Sequence, residues 1–180
     1  MAEQKVPTAQ LVDGSAPTTQ DALFQQLEEL GIASRTVDHP PIFTVEESKQ
    51  LRGSLPGHHV KNLFLRNKKG AMWLVTCLED RDVDLKRLAE VLNGGRFSFG
   101  KPGQLMQYLG VKPGAVTPLA VINDATGAVT MVLDSVLIDG QTVNAHPLVN
   151  DRTTALSGHD LLRFLEANGH APRLLDFATL

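Results

Sequence analysis

The sequence contains few of the residues on which protein chemistry often depends. Its 180 residues include one cysteine, one tryptophan and one tyrosine. A single thiol rules out an internal disulfide, and Cys77 lies in an apolar segment that is typical of a reduced core residue. No run approaches the roughly 18 apolar residues of a membrane-spanning helix, and the N-terminus lacks the apolar core of a signal peptide. These absences predict a cytoplasmic protein that contacts no membrane.

Familiar catalytic and metal-binding motifs are missing as well. The sequence has no HExxH, no CxxC and no acidic cluster at metal-ligand spacing. It also has no GxSxG elbow, no Cys/His pair, no P-loop and no glycine fingerprint for a dinucleotide. We therefore expect neither a metal nor a cofactor. If the protein is an enzyme, it acts by positioning its substrate.

The overall composition indicates one globular domain. At 42% hydrophobic residues, the chain can bury a substantial core, and its formal net charge of −3 leaves no broad basic surface. Binding to DNA is not expected, and any contact with nucleic acid must involve a few local cations. Residues 1–17 show no periodicity and are predicted to be a flexible tail, followed by a single domain over residues 18–180.

Capping residues and apolar periodicity predict the helices. A helix is expected after Thr18, a short one after Thr44, and others after Asp84, at Pro102 and after Ser157. The second helix has little apolar periodicity and is expected to lie on the surface. Helices inserted between hairpin-joined strands predict an α+β fold with a mixed, largely antiparallel sheet and surrounding helices.

Two hairpins are predicted from the strand patterns. The central one joins His58–Leu65 to Ala71–Cys77 through an Asn-Lys-Lys-Gly turn. The other joins an apolar strand at Leu119–Ile122 to a strand at Val129–Leu133 through an Asn-Asp turn.

Lys61 and Asn62 form the first candidate site, because they interrupt an otherwise apolar strand. A buried ammonium costs several kcal/mol unless an anionic group meets it. A cation fixed near the mouth of a hairpin is well placed to hold a phosphate or a carboxylate. The alternative is a lysine whose ammonium reaches solvent from the edge of the sheet and protects that edge.

The second candidate is the irregular loop Gly110–Pro118. Pro113 and Gly114 favour a type II turn, in which glycine supplies a positive φ. The residues Gly114, Ala115, Val116, Thr117 and Pro118 can then present backbone N–H groups to an oxyanion or a carbonyl. The alternative is an ordinary connection between a helix and a strand.

The third candidate is Asn144–Asn150, where a strand ends at His146-Pro147. His146 can orient a hydroxyl or a water, and the alternative is a structural hydrogen bond to a buried carbonyl. The roles of His58 and His59 are not apparent from the sequence.

Together these segments resemble a known family. His59–Leu65, Gly114–Pro118 and His146-Pro147-Leu148, with Asn150 and Thr153-Thr154 beyond, resemble the YbaK/prolyl-tRNA synthetase-associated editing domains. The likeness runs from about Thr18 to Phe177 and is greatest to the free-standing ProXp-ala (PrdX) type.

The resemblance implies a cytoplasmic deacylase that hydrolyses alanine mischarged on proline tRNA. It implies catalytic roles for Lys61, Asn62 and His146, and substrate binding by Asn144 and the GxxxP loop of Gly114–Pro118. Ala145 stands where an aromatic residue is expected, which would loosen the pocket wall and affect amino-acid selectivity.

The partners implied by the resemblance are the acceptor end of tRNA(Pro) and, as a further candidate, prolyl-tRNA synthetase. Cations that can meet the acceptor stem are Lys49, Arg52, Arg96 and Lys101, although each can equally be a solvated surface charge. Two alternatives remain open: a deacylase for Cys-tRNA(Pro) or another small aminoacyl-tRNA, and a non-catalytic module that binds tRNA or an amino acid.

Overall fold

The computed structural model describes residues 9–42, 45–52 and 55–180. Thr44, the predicted cap of the second helix, lies outside these ranges. The α-helices are α1 (Gln20–Glu29), α2 (Val45–Arg52), α3 (Leu85–Val91), α4 (Pro102–Leu109) and α5 (Gly158–Ala167). The strands are β1 (Arg35–Asp38), β2 (His58–Arg66), β3 (Met72–Leu78), β4 (Ser98–Phe99), β5 (Val129–Asp134), β6 (Thr142–Ala145), β7 (Arg152–Ser157) and β8 (Arg173–Leu175).

The strands in the described part of the chain form one mixed sheet. Their order is β1-β7-β6-β2-β3-β5-β8, and β4 pairs with β2. The β1–β7, β6–β7, β2–β3 and β2–β4 pairs are antiparallel. The β2–β6, β3–β5 and β5–β8 pairs are parallel. The predicted α+β class with a mixed, largely antiparallel sheet is confirmed.

The strand β2 joins the two halves of the sheet. Along one side it pairs with β3 from Val60 to Arg66. On its other side it meets β6 only at His58 and His59, and β4 only at Leu65 and Arg66. Both ends of β2 are therefore paired on two sides, whereas the segment around Lys61 pairs, among the described strands, with β3 alone.

The hydrophobic core lies on both faces of this sheet. The larger cluster packs residues of α1, α4 and α5 against one face, including Leu23, Leu109 and Phe164. The smaller cluster lies on the other face, where Leu88 of α3 packs with Val75 and Cys77 of β3. Burial raises the pKa of Cys77 to about 11, which fits the predicted reduced core thiol.

Several predicted elements are confirmed at their ends. The Asp84 side chain accepts hydrogen bonds from Lys86 and Arg87 at the start of α3. The Ser157 side chain accepts from the Asp160 amide at the start of α5. The cap of α1 is Thr19 and not Thr18, because it is the Thr19 hydroxyl that accepts from the Ala22 amide.

The predicted strand at Leu119–Ile122 is wrong. Pro118–Asn123 forms a 3-10 helix, whose first turn is capped by the Thr117 hydroxyl through the Leu119 amide. Without that strand the predicted hairpin at this position does not form, and β5 instead pairs in parallel with β3. Proline at the first helical position and a threonine cap thus outweighed the apolar β-branched pattern.

The strand β7 was missed by the sequence analysis. Its residues Arg152–Ser157 lie between β1 and β6, and Thr153 and Thr154 are buried there although they are polar. A pattern of threonine, alanine and serine gives little contrast between the two faces of this strand.

Among the described residues, no helix is long and apolar enough to cross a membrane.

Candidate functional site

A small pocket opens where β2 and β6 diverge. The two strands pair only as far as His59 and Asn144, after which β6 ends and the chain turns away at His146-Pro147. The cavity has a volume of about 50 Å³, comparable with one or two water molecules at roughly 30 Å³ each. We call it the small pocket, and it is lined by Ile42, His59, Val60, Asn62, Glu79, Asn144, Ala145, His146 and Thr153.

Asn62 presents a hydrogen-bond donor to the small pocket. Its Oδ1 accepts a hydrogen bond of 2.6 Å from the hydroxyl of Thr76 on the neighbouring strand β3. That bond fixes the orientation of the amide and turns its Nδ2 group away from Thr76. No described residue accepts a hydrogen bond from Nδ2, so this N–H group is available to a ligand carbonyl.

His146 presents an acceptor to the same pocket. Its Nδ1 lies 3.0 Å from the carbonyl oxygen of Arg152, which can only accept, so Nδ1 carries the proton. Burial lowers the pKa of His146 below its ordinary value of 6.5. The ring is therefore neutral near pH 7, and its Nε2 can accept a hydrogen bond from a water or a substrate group.

Asn144 is 5% exposed and contributes a buried acceptor. Its Nδ2 donates to the carbonyls of Pro56 and His58, at 3.0 and 3.1 Å. Its Oδ1 is buried and has no hydrogen-bond partner in the described part of the chain. Such an acceptor costs about 1–3 kcal/mol when it is left unsatisfied, and unsatisfied groups of this kind often occur at ligand sites.

The loop before β2 is held in place by glycine and histidine. A Cβ at Gly57 would lie 2.5 Å from the Thr142 carbonyl oxygen, and its φ of +100° is one that favours glycine. His59 donates from Nε2 to the Leu55 carbonyl, and His58 bonds the Asp139 carboxylate at 3.0 Å. These two histidines therefore fix the strand end that forms one wall of the small pocket.

Lys61 lies outside the lining of the small pocket. Successive side chains of a strand point to opposite faces, so Lys61 points away from Val60 and Asn62, which line the pocket. Its ammonium donates to the carbonyl of Arg81, just beyond β3. Lys61 is thus placed on the face of β2 that carries α3.

The GxxxP loop has the predicted turn. Gly114 has a φ of +88°, and the Ala115 amide donates to the Lys112 carbonyl at 3.0 Å, as a type II turn requires. The Ala115 amide is therefore already used, and Thr117 is engaged in capping the following 3-10 helix. Ala115 of this loop and the preceding residues Gly110–Pro113 line a cavity of about 400 Å³ together with Leu148–Asp151, which follow His146.

The four candidate tRNA-binding cations occupy different places. Lys49 is exposed on α2, which also carries Arg52. Arg96 and Lys101 are exposed on either side of β4. Because β4 pairs with β2 at Leu65 and Arg66, these two cations lie toward the end of β2 that is remote from the small pocket.

Two further polar residues at the pocket were not assigned a role from the sequence. Thr153 is 5% exposed, and its hydroxyl lies 2.8 Å from Nε2 of His39. His39 and Thr153 are 114 positions apart in the chain, and no local pattern signals their contact. Glu79, at the end of β3, adds a carboxylate to the lining.

Ala145 forms part of the wall of the small pocket. It is 3% exposed, and the cavity beside it remains small with alanine in place. In the described ranges, no group of three or more histidine, cysteine or acidic side chains is arranged to hold a metal ion.

Comparison with known proteins gives a consistent result. Prolyl-tRNA synthetase associated domain-containing protein 1 of Bos taurus is 42% identical over 161 residues, which cover 87% of this chain and 94% of the relative. The prolyl-tRNA editing protein ProX of Acetoanaerobium sticklandii is 35% identical over 156 residues, covering 86% of this chain and 95% of the relative.

Solved structures share the fold. The crystal structure of a candidate trans-editing enzyme for prolyl-tRNA synthetase superposes with a TM-score of 0.66 at 21% identity, covering 89% of this chain and 98% of the other. Residues 39–164, which include the whole lining of the small pocket, match the family described as the aminoacyl-tRNA editing domain. This chain therefore belongs to the aminoacyl-tRNA editing domain family.

Proposed function

We propose that the protein is a free-standing trans-editing deacylase of the ProXp-ala (PrdX) type, which hydrolyses alanine mischarged on proline tRNA. The observation that carries the proposal is the small pocket, about 50 Å³ in volume, with the Asn62 amide and the His146 imidazole in its wall. A cavity of this size supports selection of alanine, whose side chain is a methyl group, over proline with its larger pyrrolidine ring.

Size exclusion at a second site answers a physical problem of the synthetase. A pocket built for proline cannot strongly reject the smaller alanine, because each missing methylene is worth only about 1–3 kcal/mol. A separate pocket that admits alanine and excludes proline removes the error without attacking the correct product.

The reaction is an ester hydrolysis. Asn62 Nδ2 donates to the ester carbonyl oxygen, and His146 Nε2 accepts a hydrogen bond from the attacking water. Water adds to the carbonyl carbon and the bond to the terminal ribose oxygen breaks. The proton that the water loses passes through the neighbouring ribose hydroxyl to the leaving oxygen, so that free alanine and an unesterified ribose result. An aminoacyl ester is already activated, so no covalent intermediate with the protein is needed.

The other candidate residues hold the substrate in position for this chemistry. Asn144 binds the amino acid, and the residues Gly114, Ala115, Val116, Thr117 and Pro118 bound the substrate beyond His146. Lys61 pairs with the terminal phosphate or ribose, for which its ammonium must leave the Arg81 carbonyl. The cations that contact the acceptor stem in this proposal are Lys49, Arg52, Arg96 and Lys101.

Residues 18–180 constitute the editing domain in this proposal. The enzyme acts in the cytoplasm on tRNA(Pro) released by prolyl-tRNA synthetase, its further candidate partner. Neither a metal nor a cofactor is required by the reaction as written.

The test is a deacylation panel with the purified protein. Alanyl-, cysteinyl-, seryl- and prolyl-tRNA(Pro) are compared, and we expect rapid hydrolysis of alanyl-tRNA and none of prolyl-tRNA. Preference for cysteinyl- or seryl-tRNA would instead indicate a deacylase for that aminoacyl-tRNA. Inactivity on all four, with tRNA still bound, would favour the non-catalytic module.

A further inference from the structure

The small pocket and the open groove beside it share two polar residues. The open groove has a volume of about 470 Å³ and lies along β1, β6 and β7. Asn144 and Thr153 line both cavities. Any group that passes between the groove and the small pocket meets these two side chains.

Thr153 is oriented as an acceptor by His39. Nδ1 of His39 lies 2.8 Å from the Pro40 carbonyl oxygen, which can only accept, so Nδ1 carries a proton. With the single ring proton on Nδ1, Nε2 accepts a hydrogen bond from the Thr153 hydroxyl at 2.8 Å. The lone pairs of Thr153 Oγ1 remain for a ligand, and this oxygen can only accept from it.

Asn144 is oriented the same way by the backbone. Both protons of its Nδ2 are donated to carbonyls, which fixes Oδ1 as the group without a partner. The oxygen is shielded from solvent, so the pocket wall must yield slightly before a ligand donor reaches it.

The lining favours a ligand that only donates hydrogen bonds, because Asn144 Oδ1 and Thr153 Oγ1 are both placed to accept. Its described residues include no lysine or arginine that would repel a cation. A ribose ring is too large for a cavity of about 50 Å³, whereas an ammonium group is small, cationic and a donor only. Hydroxyl groups match this lining less well, because they carry no charge and a single proton.

We propose that Asn144 Oδ1 and Thr153 Oγ1 bind the free α-ammonium of the aminoacyl ester, with His39 as the residue that positions the Thr153 hydroxyl; this rests on the proposed deacylase function. The site then selects esters with an unblocked amine. Acylation of the nitrogen removes its charge and most of its N–H groups and adds bulk, so N-acylated aminoacyl-tRNA and peptidyl-tRNA are excluded.

The first experiment compares alanyl-tRNA(Pro) with N-acetyl-alanyl-tRNA(Pro). We expect the wild-type protein to hydrolyse the acetylated ester at least about a hundredfold more slowly, since hydrogen bonds to a charged group are among the stronger ones. Equal rates for the two esters would overturn the ammonium site while leaving the deacylase function intact.

Variants locate the site. Thr153→Val should reduce the ratio of alanyl-tRNA hydrolysis to N-acetyl-alanyl-tRNA hydrolysis about tenfold, whereas Thr153→Ser should retain it. His39→Ala should also reduce this ratio, because it removes the residue that orients the Thr153 hydroxyl. The matched control is Thr154→Val, whose hydroxyl faces the opposite side of β7 and bonds Thr36 at 2.8 Å, and it should leave the ratio unchanged. An unchanged ratio in Thr153→Val would overturn the role of Thr153.

Binding of small probes separates this inference from the proposed function. L-alanine amide and N-acetyl-L-alanine amide are titrated into the wild-type protein, and the side-chain amide signals of Asn144 and Asn62 are followed by NMR. Selective binding of the free amine supports the ammonium site even if every tRNA ester is inert, in which case the deacylase function fails alone. Equal shifts with both probes, or none with either, would overturn it. If Thr153→Val does not fold, Thr153→Ser and these comparisons on the wild-type protein still test the ammonium site.

Discussion

His146 and His170 show how the same side chain is used differently in two regions of this molecule. His146 lies half-buried at the small pocket, with one ring nitrogen bonded to the Arg152 carbonyl and the other facing no described partner. His170 is 5% exposed in the core. Its Nδ1 meets the Asn168 carbonyl at 2.8 Å and its Nε2 meets the Asp124 carboxylate at 2.9 Å.

The number of acceptors around each ring determines its charge. Both partners of His170 can only accept, so both nitrogens must donate, and Asp124 raises the pKa of His170 above its ordinary value of 6.5. His146 has one such partner, and burial lowers its pKa. The core histidine is thus a cation with every donor satisfied, whereas the pocket histidine is neutral with an acceptor left over.

The difference separates structural from functional polar groups. Asp124 also accepts from the amides of Ala128 and Val129, so the polar atoms of the Asp124–His170 pair are fully engaged. In the small pocket, by contrast, an acceptor on Asn144 and a donor on Asn62 have no partner among the described residues. Buried polar groups without partners mark the place where a ligand completes the structure.

Lys61→Ala is expected to have the largest effect. We expect kcat/KM for alanyl-tRNA to fall by about 10²-fold or more, because the ester is misplaced once Lys61 no longer holds the terminal phosphate or ribose, with little change in the unfolding midpoint. Steady-state deacylation and thermal unfolding are measured together. The control is Lys69→Ala, an exposed lysine of the hairpin turn.

Two outcomes would contradict the role given to Lys61. Retained activity would leave it as an anchor for the Arg81 turn, to whose carbonyl it donates. A loss of activity that disappears on cooling, together with a lowered midpoint, would indicate the same structural role.

His170→Ala should lower stability and spare the chemistry. Removing one partner of a buried pair leaves Asp124 uncompensated and typically costs about 3–5 kcal/mol. Urea unfolding measures the loss, and deacylation below the unfolding transition should be unchanged. The exposed His159 provides the control, His159→Ala.

The pH dependence of this loss has a definite sign. The raised pKa of His170 gives a contribution that is complete below its ordinary value of 6.5 and is lost as the pH rises through the raised value. The lowered pKa of Asp124 gives one that is complete above 3.8 and is lost as the pH falls through the lowered value. The stability difference between wild type and His170→Ala should therefore be greatest between pH 3.8 and pH 6.5, where both contributions are complete. A difference that grows above neutral pH would contradict the charged pair.

His146→Ala should have the opposite effect to His170→Ala, lowering activity and sparing stability. We expect kcat to fall about a hundredfold, within the range for a positioned acid–base group, while stability changes little. In the wild type the neutral ring is the active form, so activity should stay level near neutral pH and decline only below 6.5, because burial lowers the pKa. A pH–rate profile measures this, and an acid limb centred above 6.5 would contradict the neutral acceptor.

The sequence predicted the fold where local signals and burial agree. The hairpin of β2 and β3 and the caps Asp84 and Ser157 were recovered because each depends on residues close together in the chain. The segment Pro118–Asn123 was not, because a short apolar run suits a strand or a buried helix equally well.

The site was predictable only in part, for the same physical reason. Asn62, Asn144 and His146 do line one cavity, yet the contact between His39 and Thr153 follows from the pairing of β1 with β7, and β7 has no clear strand pattern. Alternation along β2 predicts that Lys61 and Asn62 point to opposite faces of the sheet. The sequence does not show which of these faces carries the small pocket.

The exposed cations should give the smallest effects, since they belong to neither region. Replacing Arg96 or Lys101 by alanine should raise KM about two- to threefold and reduce the slope of log(kcat/KM) against log[salt] by about one for each phosphate that the protein no longer neutralises. Neither stability nor kcat should change, because both side chains are solvent-exposed. Deacylation at several salt concentrations measures the slope, with Lys69→Ala again as the control. If the slope in Arg96→Ala and Lys101→Ala equals that of the wild type while Lys49→Ala reduces it, the acceptor stem lies along α2 and not beside β4.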